Sequence, residues 1–156
     1  MQDRQLSAHF KLSELTHSDT AVRRGIDNTP MPEHLHNLET YTAPGLEQVR
    51  EIAGNVPINV HDAYRCPAVN KIVGGTPTSA HPEGYAADID AMPTHTPLAL
   101  ARLIAAAMKV GKIKIDQLIL ESGRGTVHVS FDPRARGMMG HQPGGPGTPI
   151  NWAFFK

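Results

Sequence analysis

Gln117-Leu-Ile-Leu-Glu121-Ser-Gly-Arg-Gly-Thr126-Val-His128-Val-Ser-Phe131 is the stretch on which the fold turns. Two apolar, β-prone runs flank Ser-Gly-Arg-Gly, the pattern of a β-hairpin closed by a glycine-containing turn. With the turn centred on Gly123-Arg124, Glu121 pairs with Thr126 and Ile119 pairs with His128. Strand side chains alternate between faces, so Val127, Val129 and Phe131 point one way and His128 the other. Glu121 and His128 then share a face as diagonal neighbours, about 7–8 Å apart at Cα. A slip of one residue would send Glu121 to the opposite face.

Tyr85-Ala-Ala-Asp88-Ile-Asp90 reads as another strand, with Ala86, Asp88 and Asp90 on one face. Ile58-Asn-Val60 is a short strand ending near Tyr64. Leu98 to Val110 is the clearest helix, with Leu100, Leu103, Ile104 and Met108 on one side. Between residues 33 and 53 the apolar positions Leu35, Leu38, Tyr41, Leu46, Val49 and Ile52 follow helical spacing. Pro44-Gly45 interrupts them, which predicts a kink or two abutting helices. Residues 10–25 form two short helical turns, with Ser13 and Ser18 as N-caps and Gly25 as the stop. Residues 66–85 read as loop, punctuated by proline and glycine. Pro143-Gly-Gly-Pro-Gly-Thr-Pro149 has no side chains with which to build a core, and Trp152-Ala-Phe-Phe155 follows it. The predicted class is α+β with antiparallel pairing. Residues 1–135 form the folded domain and 136–156 a Gly/Pro-rich tail with an aromatic terminus.

Composition narrows the function. At 156 residues, 40% hydrophobic and 19% charged, the chain suits one globular domain. Lys plus Arg and Asp plus Glu each total 15. That balance argues against nucleic acid or an anionic membrane bound through bulk charge. Cys66 is the single cysteine, so no intrachain disulfide forms. The polar start, Met1-Gln2-Asp3-Arg4-Gln5, and the lack of a long apolar run predict synthesis in the cytoplasm without a signal peptide or membrane insertion.

Nine histidines are many for this length. His81 sits in the Pro/Gly loop Ser79-Ala-His81-Pro-Glu-Gly84, seven residues before Asp88. A loop histidine folded back over the next strand can meet an aspartate on its face. By itself that spacing describes an exposed His and a turn-capping Asp better than a ligand pair. A lone histidine in a strand is more often a core or surface residue than a ligand, but His128 lies on the polar side of an apolar strand and is the candidate third member of a set that catalytic zinc uses, leaving a position for water. Glu121 then stands where a general base reaches such a water, although a hairpin-edge charge fits it equally. Arg65, in Ala63-Tyr-Arg-Cys-Pro67, can clamp a carboxylate or hold a loop. Cys66 reads as a small buried residue rather than a fourth ligand. His61 falls near the pocket rim, and His34 and His36 on an exposed helix side. His95 and the near-terminal His9, His17 and His141 carry no signal.

Taken in order, these residues resemble the zinc D-alanyl-D-alanine carboxypeptidase and L-alanyl-D-glutamate endopeptidase family, phage and prophage branch, which shares the hedgehog signalling fold. The carrying segments are Phe10-Lys-Leu-Ser-Glu-Leu-Thr, Gly25-Ile-Asp-Asn-Thr-Pro30, Tyr64-Arg65 and Val69-Asn-Lys-Ile-Val-Gly-Gly75. Ser79-Ala-His81-Pro-Glu-Gly84-Tyr-Ala86-Ala-Asp88, Asp116-Gln-Leu-Ile-Leu-Glu121 and Val127-His-Val-Ser-Phe131 complete the set. The resemblance implies one zinc ion on His81, Asp88 and His128, with Arg65 on a substrate carboxylate and Ser79 beside the site. It implies hydrolysis of an amide bond in peptidoglycan stem peptides, at the cell wall after release or from a virion. Relatives carry an acid three positions before the last histidine, where this chain has Gly125, so Glu121 becomes the candidate base. Asp62-Ala63 likewise replaces a common Ser-Gly. The missing acid also keeps open a non-catalytic virion or wall-binding module with a structural zinc.

Overall fold

The computed structural model describes residues 3–156. Among them, β1 (Asn59–Asp62), β2 (Ala86–Asp90), β3 (Gln117–Glu121), β4 (Thr126–Ser130) and β5 (Met138–His141) form one sheet, in the order β1-β2-β4-β3-β5. The hairpin register is the expected one: Glu121 faces Thr126 and Ile119 faces His128. β2 runs antiparallel to β4 and sets Asp88 directly opposite His128. Period-two alternation therefore sorts the sheet into two faces. Ala87, Ile89, Leu118, Leu120, Val127 and Val129 join the hydrophobic core on one face. Asp88, Ile119, Glu121 and His128 lie on the other.

Helix α6 (Pro97–Lys109) covers the core face, capped by Thr96, whose hydroxyl accepts from the Ala99 N–H at 3.1 Å. Its Leu100, Ala101, Ile104 and Ala105 are buried there with Leu38, Leu46 and Val49. The expected break before residue 53 is a five-residue π turn, Leu38–Thr42, joining α3 (Pro32–Asn37) to α4 (Ala43–Ile52). Pro44 follows directly on the π turn, in backbone that stays helical through Thr42 and Ala43, so its missing N–H interrupts the ladder where the helix changes pitch.

The small N-terminal helices differ in one cap. For α2 (Asp19–Arg24), Ser18 accepts from Ala21 and Gly25 closes the helix at φ +63°. For α1 (Leu12–Thr16) the cap is Lys11, whose N–H donates to the Glu14 carboxylate at 3.1 Å. Ser13 is not a cap; its N–H and hydroxyl both donate to Asp3.

Two further expectations are corrected. Residues 66–85 contain helix α5 (Pro67–Ile72), because Pro67 occupies a first-turn position that suits proline. The sheet is also not wholly antiparallel: β5 runs parallel to β3, pairing Gly140 with Ile119. Segment 136–156 thus contributes an edge strand. Its aromatic end docks on its own domain, with Phe155 in the core and its carbonyl accepting from Lys109 Nζ. Gly140 makes this possible, since a Cβ there would lie 2.6 Å from Ile150 and 2.8 Å from Trp152.

Candidate metal centre

Three side chains from distant parts of the chain meet on the polar face of the sheet. His81 arrives on the short 3-10 turn His81–Glu83, which Gly84 ends at φ +83°. A side chain at Gly84 would collide with the His34 carbonyl, 2.6 Å from the Cβ position. Asp88 and His128 come from the central strands. One donor atom from each of the three lies within 4.8 Å of the others. Exposures of 2% for His81, 5% for Asp88 and 8% for His128 remove them from bulk water.

Hydrogen bonding sets which atoms face inward. Nδ1 of His81 is 2.6 Å from the Ala63 carbonyl, so it carries the proton and donates. Its other ring nitrogen, Nε2, faces the trio, 3.3 Å from Asp88 Oδ1. His128 turns Nδ1 towards the same oxygen at 3.0 Å. Burial works to raise the Asp88 carboxyl. The charge of His81 and hydrogen bonds from His128 and His81 outweigh it, holding the group well below the ordinary carboxylate range. Two imidazole nitrogens and a carboxylate oxygen, buried and convergent, fit a zinc ion that keeps one open position.

Glu121 and Arg65 line the same cleft, of about 470 Å³. Glu121 is 4% exposed, and its carboxylate accepts from Thr126 Oγ1 at 3.1 Å and from Arg124 Nη2. Burial and then the charge of Asp88 push its carboxyl up to about 7, against the pull of His128 and Arg124. Arg65 Nη1 donates to Asp62 at 2.8 Å and lies 3.9 Å from Asp88, while its buried Nε has no partner among the described residues. Burial raises the Asp62 carboxyl even though Arg65 and His81 pull it down. Ser79 also lines the cleft, and its hydroxyl accepts from the His81 N–H at 3.2 Å.

Other expectations divide. Cys66 is half-buried outside the trio, and its N–H donates to Asn28. His61 does not line the cleft; it pairs with Asp90, which Asn59 and the Met92 N–H also hold. His34 is half-buried against the Tyr64 ring rather than exposed. Asp62, Arg124 and Thr126 escaped the sequence reading as site residues. The hairpin register alone already placed Thr126 opposite Glu121.

The family model described as Peptidase M15 matches residues 8–130, most of the chain. This chain belongs to the M15 peptidases. Members are zinc-dependent metallopeptidases, and the trio lies within the matched span. A search of curated proteins finds no match to the chain. Residues that line the cleft after position 130, among them Arg134, Arg136, Gln142 and Ile150, lie outside the M15 match.

Proposed function

We propose that this M15 peptidase hydrolyses an amide bond of a peptidoglycan stem peptide, with His81, Asp88 and His128 holding one zinc ion. The observation that carries the reading is the convergence of these three buried donors in a cleft that Glu121 and Arg65 also line. Zinc held there supplies Lewis acidity to the scissile carbonyl and to an attacking water. Glu121 takes the proton of that water and passes it to the leaving amine. Arg65 lines the cleft and offers a substrate carboxylate the guanidinium N–H groups that Asp62 leaves free. Asp62 steadies the guanidinium from behind. Ser79 orders the turn that presents His81. The bond is L-Ala–D-Glu or D-Ala–D-Ala, and of the two we favour the lytic endopeptidase cut, acting on the wall after release or from a virion.

Digestion of purified peptidoglycan, read as new amine and by mass spectrometry of the products, tests this and names the bond. His81→Ala and Glu121→Ala should both abolish release. Wild-type protein that binds zinc yet releases nothing would instead indicate a wall-binding module with a structural metal.

A further inference from the structure

Glu121 ends β3 at the hairpin turn, and Thr126 opens β4 directly across from it. A glutamate side chain has several rotatable bonds, so a base at this position works only if its carboxylate is held still. Here both oxygens are held. Thr126 Oγ1 donates to Oε1 at 3.1 Å, and Arg124 Nη2 donates to Oε2.

The two holds differ in kind. Arg124 belongs to the turn, and its side chain is 34% exposed. Thr126 is buried in the strand pairing, and a β-branched side chain there has few rotamers, so its hydroxyl is a fixed donor. A hydroxyl also suits both protonation states of its partner. It donates to a carboxylate and can turn to accept from a carboxylic acid, which a guanidinium cannot do. Each Glu121 oxygen keeps a lone pair beyond the one engaged, so the held carboxylate still accepts a proton from water. Thr126 itself is not among the residues that line the cleft, whereas Glu121 is.

We infer, on the reading above in which Glu121 is the base, that Thr126 is a positioning residue. Its hydroxyl holds the Glu121 carboxylate in the orientation that takes the proton of the attacking water. Thr126 acts through Glu121 and touches no reacting atom.

Thr126→Val removes the donor at nearly constant shape and tests this. On a stem peptide that wild-type protein cleaves, kcat should fall about tenfold while KM and zinc content hold, since a misplaced group loses rate rather than binding. Thr126→Ser returns the hydroxyl and should recover most of kcat. On the Glu121→Gln background, Thr126→Val should lower kcat no further, because the group it acts through is gone. A second readout needs no activity. In metal-free protein at pH 9, Thr126→Val should lower the urea midpoint more beside Glu121 than on the Glu121→Gln background, because a charged carboxylate takes the stronger hydrogen bond. If Thr126→Val fails to fold, Thr126→Ala carries the same comparisons.

An undiminished kcat in Thr126→Val overturns the inference, as do no recovery in Thr126→Ser, an equal loss on the Glu121→Gln background, or equal midpoint shifts on both backgrounds. An inactive Glu121→Gln beside an unaffected Thr126→Val leaves the base in place and removes the positioning role alone. A fully active Glu121→Gln, or a wild-type protein that cleaves nothing, removes the base and the positioning role with it.

Discussion

Asp88 and His128 are direct cross-strand partners at the centre of the sheet, with Asp88 Oδ1 3.0 Å from His128 Nδ1. Two of the three proposed ligands are thereby fixed by backbone pairing rather than by loop conformation. Their strand neighbours Ala87, Ile89, Val127 and Val129 anchor the opposite face in the core. Only His81 depends on a turn, and that turn is tied down through the Ala63 carbonyl and Ser79.

This division predicts that metal removal loosens the site without unfolding the domain. Chelated protein should keep its far-ultraviolet circular dichroism and melt cooperatively. Adding zinc at about a hundredfold over Kd should stabilise it by about 2.7 kcal/mol, seen as a higher Tm. Asp88→Asn should retain the fold while zinc content, measured by elemental analysis, falls sharply. A chelated protein that is unfolded would contradict the prediction.

Glu121→Gln should separate chemistry from metal binding. The amide keeps the size of the side chain, and the trio is untouched, so zinc content should match wild type. Loss of the proton acceptor should lower kcat by about 10²–10⁴ with little change in KM. A kcat within a few-fold of wild type would remove Glu121 from the base role.

Protonation of Glu121 gives a signed effect on stability. Its ordinary pKa of 4.5 is pushed up to about 7 in the folded, metal-free chain by burial and by Asp88. Between those values the folded state binds more protons than the unfolded state, so stability falls as pH rises, then levels off. Asp88 has the opposite sign, but its depressed carboxyl acts at lower pH. For His128, burial lowers proton affinity and the Asp88 hydrogen bond outweighs it, so its contribution is lost further up the scale. Urea midpoints of metal-free protein should therefore decline from pH 4.5 to 7, and Glu121→Gln should flatten that slope.

The hairpin shows what was legible in the sequence. Alternation and the Gly-containing turn fixed a register, and that register was enough to set Glu121 beside His128 and to sort polar from core faces. The partnership of Asp88 with His128 is a pairing between strands forty residues apart, which local pattern cannot specify; family resemblance pointed to it. Strand β5 was illegible because Gly137-Met-Met-Gly140 has neither alternation nor β-branched residues. Its place comes from pairing with β3 and from packing at Gly140. The arginines just before it could not be assigned to a cleft whose wall was not visible.

Gly125 explains the missing acid in physical terms. It sits in the hairpin turn at φ +70°, with open space around its Cβ position. An acid there would be strained by backbone conformation, not by collision. Gly125→Asp should cost about 1 kcal/mol of stability. On the Glu121→Gln background it should not restore activity, because the turn directs the new side chain from a different backbone geometry. Chemical denaturation and peptide release check the two halves.

Gly140→Val tests whether the C-terminal segment is part of the cleft. The added Cβ would meet Ile150 at 2.6 Å and Trp152 at 2.8 Å, so the segment must move off β5. Ile150 and Gln142 line the cleft, and Gln142 holds the segment through the Thr148 carbonyl at 2.9 Å. Overpacking of this kind costs about 1–3 kcal/mol. The proposed ligands on β2 and β4 lie two or more strands away from the insertion. Zinc content should therefore hold while KM for the stem peptide rises several-fold and Tm drops. Gly145→Ala, in the same segment but with nothing within 4 Å of its Cβ position, serves as the control and should leave both nearly unchanged. Equal KM values for the two variants would show that the segment packs beside the cleft without shaping it.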